Sequence, residues 1–266
     1  MKTFKPLVFL CSLVLIVGLA CSLSGGGDTP TQPQQPSQPQ ATEPPAVPAT
    51  AVPPTEAPPP TQVPPPTQPA VSEFFTEEFD SPLSNDWSIF TVTGSNSADP
   101  DKVTVEADNG KLVWDFDSED VYYYLFYNAF EYEDVQVDVS ADNRGRNNNN
   151  ISLICRYDPD VGWYEFNIAN NGLYWIFYAE VTSNGDISYN LITNGGSNSI
   201  KQGKDVNEYS ITCKGDQLSL TINGDEVNSV TEKTYGLRDG QIGVSVSSFD
   251  VLPILIEMDW LKVSEP

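Results

Sequence analysis

The chain has 266 residues, with 37 Asp and Glu against 13 Lys and Arg, a formal charge of −24 and no histidine. An acidic protein of this kind repels the phosphates of nucleic acid, so we expect no nucleic-acid partner. The lack of histidine excludes Ser-His-Asp and Cys-His catalysis, and it excludes histidine-ligated zinc.

The chain begins with a short basic stretch followed by an apolar run. Lys2 and Lys5 precede the apolar segment from Leu7 to Leu19, and small residues follow it. This order is typical of a secretory signal peptide, and the run is too short for a permanent membrane span. We therefore predict a signal peptide over residues 1–20 and an extracytoplasmic protein.

The sequence Gly18-Leu19-Ala20-Cys21 resembles the cleavage site of bacterial lipoproteins. The resemblance implies that Cys21 becomes the first mature residue, carries acyl chains such as palmitate and enters the lipid bilayer. Gly18 departs from the pattern, in which a larger aliphatic residue is usual. The alternative is an ordinary signal peptide cut near Ala20, which leaves a soluble protein. Because several acyl chains anchor stably, we expect a lipid-anchored protein at the bacterial cell membrane or cell surface.

Residues 21–71 form a segment rich in proline, threonine and glutamine. Most of the chain's 22 prolines lie between Asp28 and Val71, where there is no aromatic residue. Such a segment buries too little apolar surface to offset its ordering entropy, so we predict a disordered linker. At about 3.1 Å per residue, polyproline-like extension gives a stalk that reaches on the order of 100 Å.

Two cysteines remain beyond the signal peptide and the lipidation site. Cys155 and Cys213 lie in the strand-like runs LICRY and SITCK. In an oxidising compartment we expect them to form a disulfide. The alternative is a pair of buried free thiols in adjacent strands.

Residues 72–266 form a second compositional region, in which aromatic and β-branched residues replace proline. Period-two runs recur between turn signals, among them Asn109-Gly110 and Asn223-Gly224, and helical periodicity is essentially absent. About fourteen strands are predicted, which is too many for an immunoglobulin-type sandwich. The pattern predicts one all-β domain, a two-sheet jelly roll behind the disordered stalk.

Several motifs in this domain resemble a known family. They include LICRYDPDVGWYEFNI, YSITCKGDQLSLTINGDEV and GLRDGQIGVSVSSFD, and the resemblance covers nearly all of residues 73–264. The domain resembles the concanavalin A-like sandwich of laminin-G-type and 3-keto-disaccharide-hydrolase-like domains, in particular the copies that bacterial lipoproteins carry behind a Pro/Thr stalk. The resemblance implies the fold more than the function, because this fold hosts lectins, carbohydrate-binding modules, glycosidases and adhesion domains.

Three aromatic-rich strands have alternating side chains that divide into two faces. One set of alternating residues builds the core, and the other set lies on a sheet surface or in a groove. For the two strands over residues 163–168 and 173–178, the first set is Tyr164, Phe166, Ile168, Tyr174, Ile176 and Tyr178, and the second is Trp163, Glu165, Asn167, Leu173, Trp175 and Phe177. In the strand over residues 121–127, Tyr122, Tyr124 and Phe126 share one face and Tyr123, Leu125 and Tyr127 share the other, and one of these two faces could extend the aromatic surface.

The second set contains a candidate carbohydrate site. The CH faces of pyranose rings stack on aromatic rings, and their hydroxyls need amide, carboxylate or guanidinium partners. We therefore predict that Arg156, Glu165 and Asn167 bond hydroxyls, while Trp163 and Trp175 stack on the rings. The alternative is that loops cover this face and both tryptophans belong to a satellite core.

Calcium is a possible cofactor. Domains with this resemblance often hold a structural calcium, and hard oxygen ligands are abundant. Glu78, Asp80 and Asp259 lie on terminal strands that should be neighbours, so they are candidate ligands. A second acidic stretch, WDFDSED, lacks the glycine of an EF-hand loop and is expected to be solvated.

Paired carboxylates are the remaining route to catalysis. Glycosidases of this fold carry E-x-D-x-x-E on one strand, and this sequence has no such run. Glu131 and Glu133 share a strand face, but their position favours a solvated strand start. We therefore expect a lectin-like module that binds an extracellular glycan and has no catalytic residues. The alternatives are an adhesive protein-binding module and, further off, a hydrolase acting on a disaccharide.

Overall fold

A computed structural model describes residues 72–266. The predicted signal peptide over residues 1–20, the lipidation of Cys21 and the linker over residues 21–71 lie outside the described residues. Within residues 72–266, no helix is long and apolar enough to cross a bilayer.

The described residues form fifteen strands and one short 3-10 helix. The helix is Pro100–Lys102, capped by the Asp99 carboxylate, which accepts from the Asp101 N–H. The strands are β1 Phe75–Glu77, β2 Trp87–Thr93, β3 Val103–Asp108, β4 Lys111–Phe116, β5 Val121–Tyr127, β6 Val135–Asn143, β7 Asn149–Asp158, β8 Gly162–Ala169, β9 Leu173–Val181, β10 Ile187–Gly196, β11 Val206–Lys214, β12 Gln217–Ile222, β13 Asp225–Thr231, β14 Gln241–Ser248 and β15 Ile254–Ser264.

The strands form two antiparallel sheets. The eight-stranded sheet has the order β13-β12-β11-β6-β15-β4-β3, with β1 also pairing to β15, and the seven-stranded sheet has the order β10-β9-β8-β7-β14-β5-β2. Neighbours in each sheet are often distant in sequence, for example β6 beside β15 and β7 beside β14. The predicted two-sheet jelly roll is confirmed.

Tight turns help to fix the strand register. Asn109 and Gly110 both have positive φ, 52° and 72°, and so do Asn223 and Gly224, 51° and 85°. Type I′ hairpin turns need positive φ at both central residues, which Asn-Gly adopts at little cost. The turns join β3 to β4 and β12 to β13, as their sequences predict.

The core lies between the two sheets. It is one contiguous cluster, to which Val137 and Ile211 contribute from the eight-stranded sheet and Leu125, Phe166 and Val244 from the seven-stranded sheet. Burying each such side chain contributes about 1.5 to 3 kcal/mol. The predicted inner-face residues of β8 and β9 all belong to this cluster, and on β5 the inner face is that of Tyr123, Leu125 and Tyr127.

A disulfide crosses the core. Cys155 in β7 is bonded to Cys213 in β11, with 6.6 Å between their Cα atoms and a sequence separation of 58. The predicted pairing is confirmed, and it ties the two sheets together. On the chain-entropy model, closing a loop of this length stabilises the fold by about 4 kcal/mol.

Strand β8 is buried on both faces. Its inward residues pack in the core, and its outward residues Trp163, Glu165 and Asn167 are also buried. A second, smaller hydrophobic cluster therefore lies on the outer face of the seven-stranded sheet, built around Tyr124, Trp163 and their neighbours. This outer face carries the candidate site.

Candidate functional site

A groove of about 350 Å³ lies on the outer face of the seven-stranded sheet. The strand register places its residues side by side, since Ser152 of β7 pairs with Asn167 of β8, which pairs with Trp175 of β9. The lining residues are Tyr122, Asn150, Glu165, Asn167, Trp175, Phe177, Tyr189 and Phe249.

The floor of the groove is organised by the buried carboxylate of Glu165. Its Oε1 accepts from the Ser152 hydroxyl at 2.7 Å and from the Asn167 amide at 3.3 Å. Its Oε2 accepts from the Trp163 indole N–H at 3.0 Å and from the Tyr124 hydroxyl at 3.2 Å. A carboxylate offers about four acceptor positions, so the protein itself supplies a full set of donors.

Burial and hydrogen bonding act on Glu165 in opposite directions. Burial raises the pKa of its carboxyl above the ordinary 4.5, while the donors from Ser152, Trp163, Asn167 and Tyr124 lower it, and the net direction is upward. Among the described residues, the hydrogen-bond partners of the Glu165 carboxylate are all neutral donors, so dipoles balance its charge in a low dielectric.

Two tyrosines extend this network toward the open groove. The Tyr124 and Tyr189 hydroxyls are 2.6 Å apart. Burial raises the pKa of both phenols, and the nearby Glu165 charge raises each further. Both hydroxyls therefore stay protonated at neutral pH and serve as hydrogen-bond groups.

Three polar atoms on this face lack a hydrogen-bond partner. Among the buried side-chain atoms of residues 72–266, the unpartnered set includes Asn167 Oδ1, Ser245 Oγ and Ser247 Oγ. Ser245 pairs with Ser152 in the sheet, and Ser247 pairs with Asn150, so both serines lie in the same part of the outer face. Leaving a buried polar group unpaired costs about 1 to 3 kcal/mol. Of the three residues, Asn167 lines the groove, so its Oδ1 is the atom that favours a hydroxyl-bearing ligand there.

Aromatic rings form the walls. Phe177 meets the edge of Tyr189 at a centroid distance of 6.0 Å, and Tyr122 meets the edge of Phe249 at 6.3 Å. Trp175 is half-buried and lines the groove from β9. The groove thus has apolar rings above a polar floor.

A second cavity of about 150 Å³ adjoins the first. The two share Asn150, Trp175 and Phe249, and the second is lined otherwise by Asn147, Asn148, Asn149, Ala169 and Asn171. Asn149 is held in place, because its amide donates to the Arg146 carbonyl at 2.7 Å and its Oδ1 accepts from Asn170 at 2.6 Å. The groove therefore continues from an aromatic part into an amide-lined part.

The structure brings together three of the five predicted ligand-binding residues. Glu165, Asn167 and Trp175 all line the groove. Trp163 does not, and the expectation that it stacks on a ligand needs correction, since its side chain is 0% exposed and its N–H is taken by Glu165. It packs under the groove instead, with Phe90 against it at 6.1 Å.

Arg156 lies away from the groove, which corrects its predicted position. It has a positive φ of 54° at a bulge between Cys155 and Asp158, and this breaks the alternation that would have pointed its side chain to the outer face. The guanidinium is buried and donates to the carbonyls of Glu133, Gly215 and Leu237 at 2.9 Å each. Arg156 fastens loops at one end of the sandwich.

The predicted metal site does not assemble. Residues 72–266 contain no group of three or more acidic or cysteine side chains placed to hold a metal ion. Strand β1 ends at Glu77 opposite Leu261, so Glu78 and Asp80 leave the sheet before they reach Asp259. Glu131 lies by a separate acidic cavity beside Asp158 and Asp239, which shares no lining residue with the groove.

Sequence reasoning missed part of the site. Alternation predicts the outer face for Phe177 and leaves the face of Tyr122 open, and Asn150, Tyr189 and Phe249 are not among the predicted site residues. A run of four asparagines at residues 147–150 was a usable signal. Tyr189 reaches the groove only because the sheet curves, which no local pattern indicates.

The fold and the groove define a concanavalin A-like jelly-roll domain of a carbohydrate-related kind. Residues 75–252 match the family described as 3-keto-alpha-glucoside-1,2-lyase-like domains. The chain belongs to this family, which confirms the resemblance drawn from the sequence.

Comparison with solved structures supports the same fold. A GH16 enzyme of a Bacteroides ovatus mixed-linkage glucan locus, in complex with a product, superposes with a TM-score of 0.51 at 13% identity, over 71% of this chain and 99% of that chain. The Bacillus licheniformis β-glucanase superposes with a TM-score of 0.51 at 13% identity, over 74% of this chain and 100% of that chain. No curated protein matches the sequence. Identities this low establish the fold alone.

Proposed function

We propose that the groove binds a neutral carbohydrate. The observation that carries the proposal is the unpartnered Oδ1 of Asn167 in the groove floor, beneath aromatic walls. A sugar matches both the polar floor and the aromatic walls, since its hydroxyls pair with polar atoms and its CH faces pack on rings. The fold family is consistent with this ligand class.

The lining residues favour an uncharged sugar. Within the described residues, neither cavity is lined by Lys or Arg. A uronate or sulfated sugar would therefore enter beside Glu165 without a cation to balance its charge, which is costly. Amides, hydroxyls and rings suit hydroxyl groups instead.

A glucanase-type hydrolysis has little support in this groove. Glycoside hydrolysis normally needs two carboxylates that flank the bond, about 5 to 9 Å apart. Among the described residues that line the two cavities, Glu165 is the one carboxylate, and its acceptor positions are already filled. Binding is therefore the better reading of the geometry.

A second candidate is elimination on an oxidised sugar, since a 1,2-lyase acting on a 3-keto-glucoside needs only one base. The base would take the C2 proton next to the ketone, the electron pair would form the C1–C2 double bond, and the C1–O bond would break, with the leaving aglycone oxygen taking a proton from the protonated base or from water. The match of residues 75–252 to the 3-keto-alpha-glucoside-1,2-lyase-like family is the observation that favours this candidate. Glu165 would be the base, and it would have to exchange one of its four protein donors for the substrate. Incubation with a 3-keto-glucoside tests it: release of the aglycone by wild type and not by Glu165→Gln supports a lyase.

The binding proposal is tested by a glycan array probed with the purified full-length protein, with and without calcium. Wild type should bind neutral glycans in both conditions, and Asn167→Ala should bind them about tenfold more weakly. Ser210→Ala, on the outer face of the eight-stranded sheet, serves as the matched control. Failure to bind any glycan would refute the proposal and favour a protein-binding adhesive module.

We propose further that Cys21 anchors the protein to the bacterial membrane and that the linker holds the domain outside the cell. The support is the predicted signal peptide over residues 1–20, the cysteine that follows it and the proline-rich segment after that. Growth with labelled palmitate should label wild type and leave Cys21→Ala unlabelled and released to the medium. Label that persists in Cys21→Ala would contradict the anchor.

A further inference from the structure

The two edges of the seven-stranded sheet meet across its outer face. Strands β2 and β10 are the edge strands. Nevertheless Tyr189 of β10 bonds to Tyr124 of β5, next to β2, and Phe90 of β2 packs edge-on against Trp163 of β8 at 6.1 Å. The sheet therefore curls so that its two edges face each other over the middle strands.

Side chains fill the space directly over the middle strands, between these two edges. Tyr124, Phe126, Ile154, Trp163 and Ala179 form a buried cluster, and half-buried residues of both edges pack on it, namely Phe90, Val92, Ile187 and Tyr189. The Phe126 ring lies against Gly243, where a Cβ would approach Phe126 Cδ1 to 2.6 Å, and Tyr157 stacks on the other side of Phe126 at 3.5 Å. Beyond this cluster lies a separate cavity of about 330 Å³, lined by Phe90, Val92 and Ile187 among others, and it shares no lining residue with the groove.

The groove borders this cluster on one side. Tyr122, Glu165 and Tyr189 line the groove, while Tyr122 and Tyr189 also pack against the cluster. On the other side the groove continues past Trp175 and Phe249 into the asparagine-lined cavity. The groove thus has one closed end and one end that continues.

We propose that this is an end-binding site, which takes the terminal unit of a glycan chain in the closed part. The next unit lies over Trp175 and the amides of Asn147–Asn150. The interior of a polymer needs an exit at both ends, and the Tyr189–Tyr124 hydrogen bond and the rings behind it occupy one of them. This inference rests on the proposed function and specifies which part of a glycan is recognised.

Oligomer series of known length test the proposal. The probes are glucose oligomers of one to six units and the parent polymer in three linkages: mixed-linkage β-glucan, β-1,3-glucan and α-1,4-glucan. In each linkage series that the protein binds, its affinity should rise about tenfold from one glucose unit to two. From two units to six, the affinity should change by less than about twofold. The binding stoichiometry, measured by calorimetry at a known molar concentration of polymer chains, should be one protein per chain end.

Variants of Tyr189 separate the closed end from binding itself. Tyr189→Ala opens the closed end and should raise the number of proteins bound per polymer chain, while Tyr189→Phe keeps the ring and should keep end binding. Leu191→Ala, an exposed residue on the same strand, is the control and should match wild type. Circular dichroism checks that each variant is folded.

The outcomes distinguish this inference from the proposed function. Wild-type protein that coats the polymer along its length, or affinity that climbs steadily to six units, would overturn the end-binding site and leave carbohydrate binding intact. Binding to none of the three series would overturn both. A plateau at two units, with one protein per chain end, supports both.

Discussion

The two sheets have outer faces of very different character. The eight-stranded sheet has a cavity of the same 350 Å³ volume as the groove, but it is lined by Gln136, Asp138, Glu208 and Lys262 beside Trp260. The seven-stranded sheet instead buries a carboxylate, amides and serines beneath aromatic rings. The two cavities therefore differ in the chemistry of their lining and not in volume, since one is lined by charged side chains and the other by rings above a buried carboxylate and amide.

The largest expected contrast between the two faces concerns their glutamates. Glu165→Leu leaves the donors of Ser152, Trp163, Asn167 and Tyr124 without an acceptor, so unfolding should become easier by on the order of 3 kcal/mol. Glu208→Leu, on the exposed face, should change the free energy of unfolding by no more than about 0.5 kcal/mol. Urea denaturation measures the free energy of unfolding of both variants. Equal losses in the two variants would contradict the proposed difference between the two faces.

The tryptophans offer a matched pair for binding. Trp175→Ala removes a wall shared by both cavities, so carbohydrate affinity should fall by about 2 kcal/mol, roughly 30-fold. Trp260→Ala removes a half-buried tryptophan from the other face and should leave affinity unchanged. Titration calorimetry measures the carbohydrate affinity of both variants. A loss in Trp260→Ala with none in Trp175→Ala would place the site on the wrong sheet.

A smaller loss is expected at Arg156, and in stability alone. Arg156→Met frees the carbonyls of Glu133, Gly215 and Leu237, so the free energy of unfolding should fall by about 2 kcal/mol. Carbohydrate affinity of the folded variant should stay at the wild-type level, because Arg156 lies outside the groove. Affinity that drops together with stability would show that the loops it fastens support the site.

The smallest expected effect is the pH dependence contributed by Glu165. Because its folded-state pKa lies above the ordinary 4.5, the native state holds this proton more tightly than the unfolded state does. The stabilisation it contributes is present below about pH 4.5 and is lost as pH rises through the folded-state pKa. Glu165→Gln should remove this slope from the unfolding free energy, and an unchanged pH profile would contradict the shift.

Local sequence patterns were enough to predict the strands and their faces. Period-two alternation placed Tyr164 and Phe166 in the core and Glu165 and Asn167 on the opposite face, and Asn-Gly pairs marked two hairpins. Residues 173–181 form one strand as predicted. These features depend on neighbouring residues, so the sequence carries them directly.

The errors have long-range causes. Trp163 was expected to be exposed, and it is buried because β2 and β10 close over it from strands that are remote in sequence. Arg156 was expected in the groove, and a bulge with a positive φ turned it away. Curvature and bulges depend on how the whole sheet packs, which alternation within one strand does not reveal.

The central claim is that the outer face of the seven-stranded sheet binds a neutral sugar through its buried polar floor. A crystal structure of the protein soaked with the tightest-binding glycan from the array tests this most directly. We predict that the structure will show a sugar between Trp175 and Tyr189, with one of its hydroxyls donating to Asn167 Oδ1. A sugar bound instead on the outer face of the eight-stranded sheet, near Trp260, would contradict it.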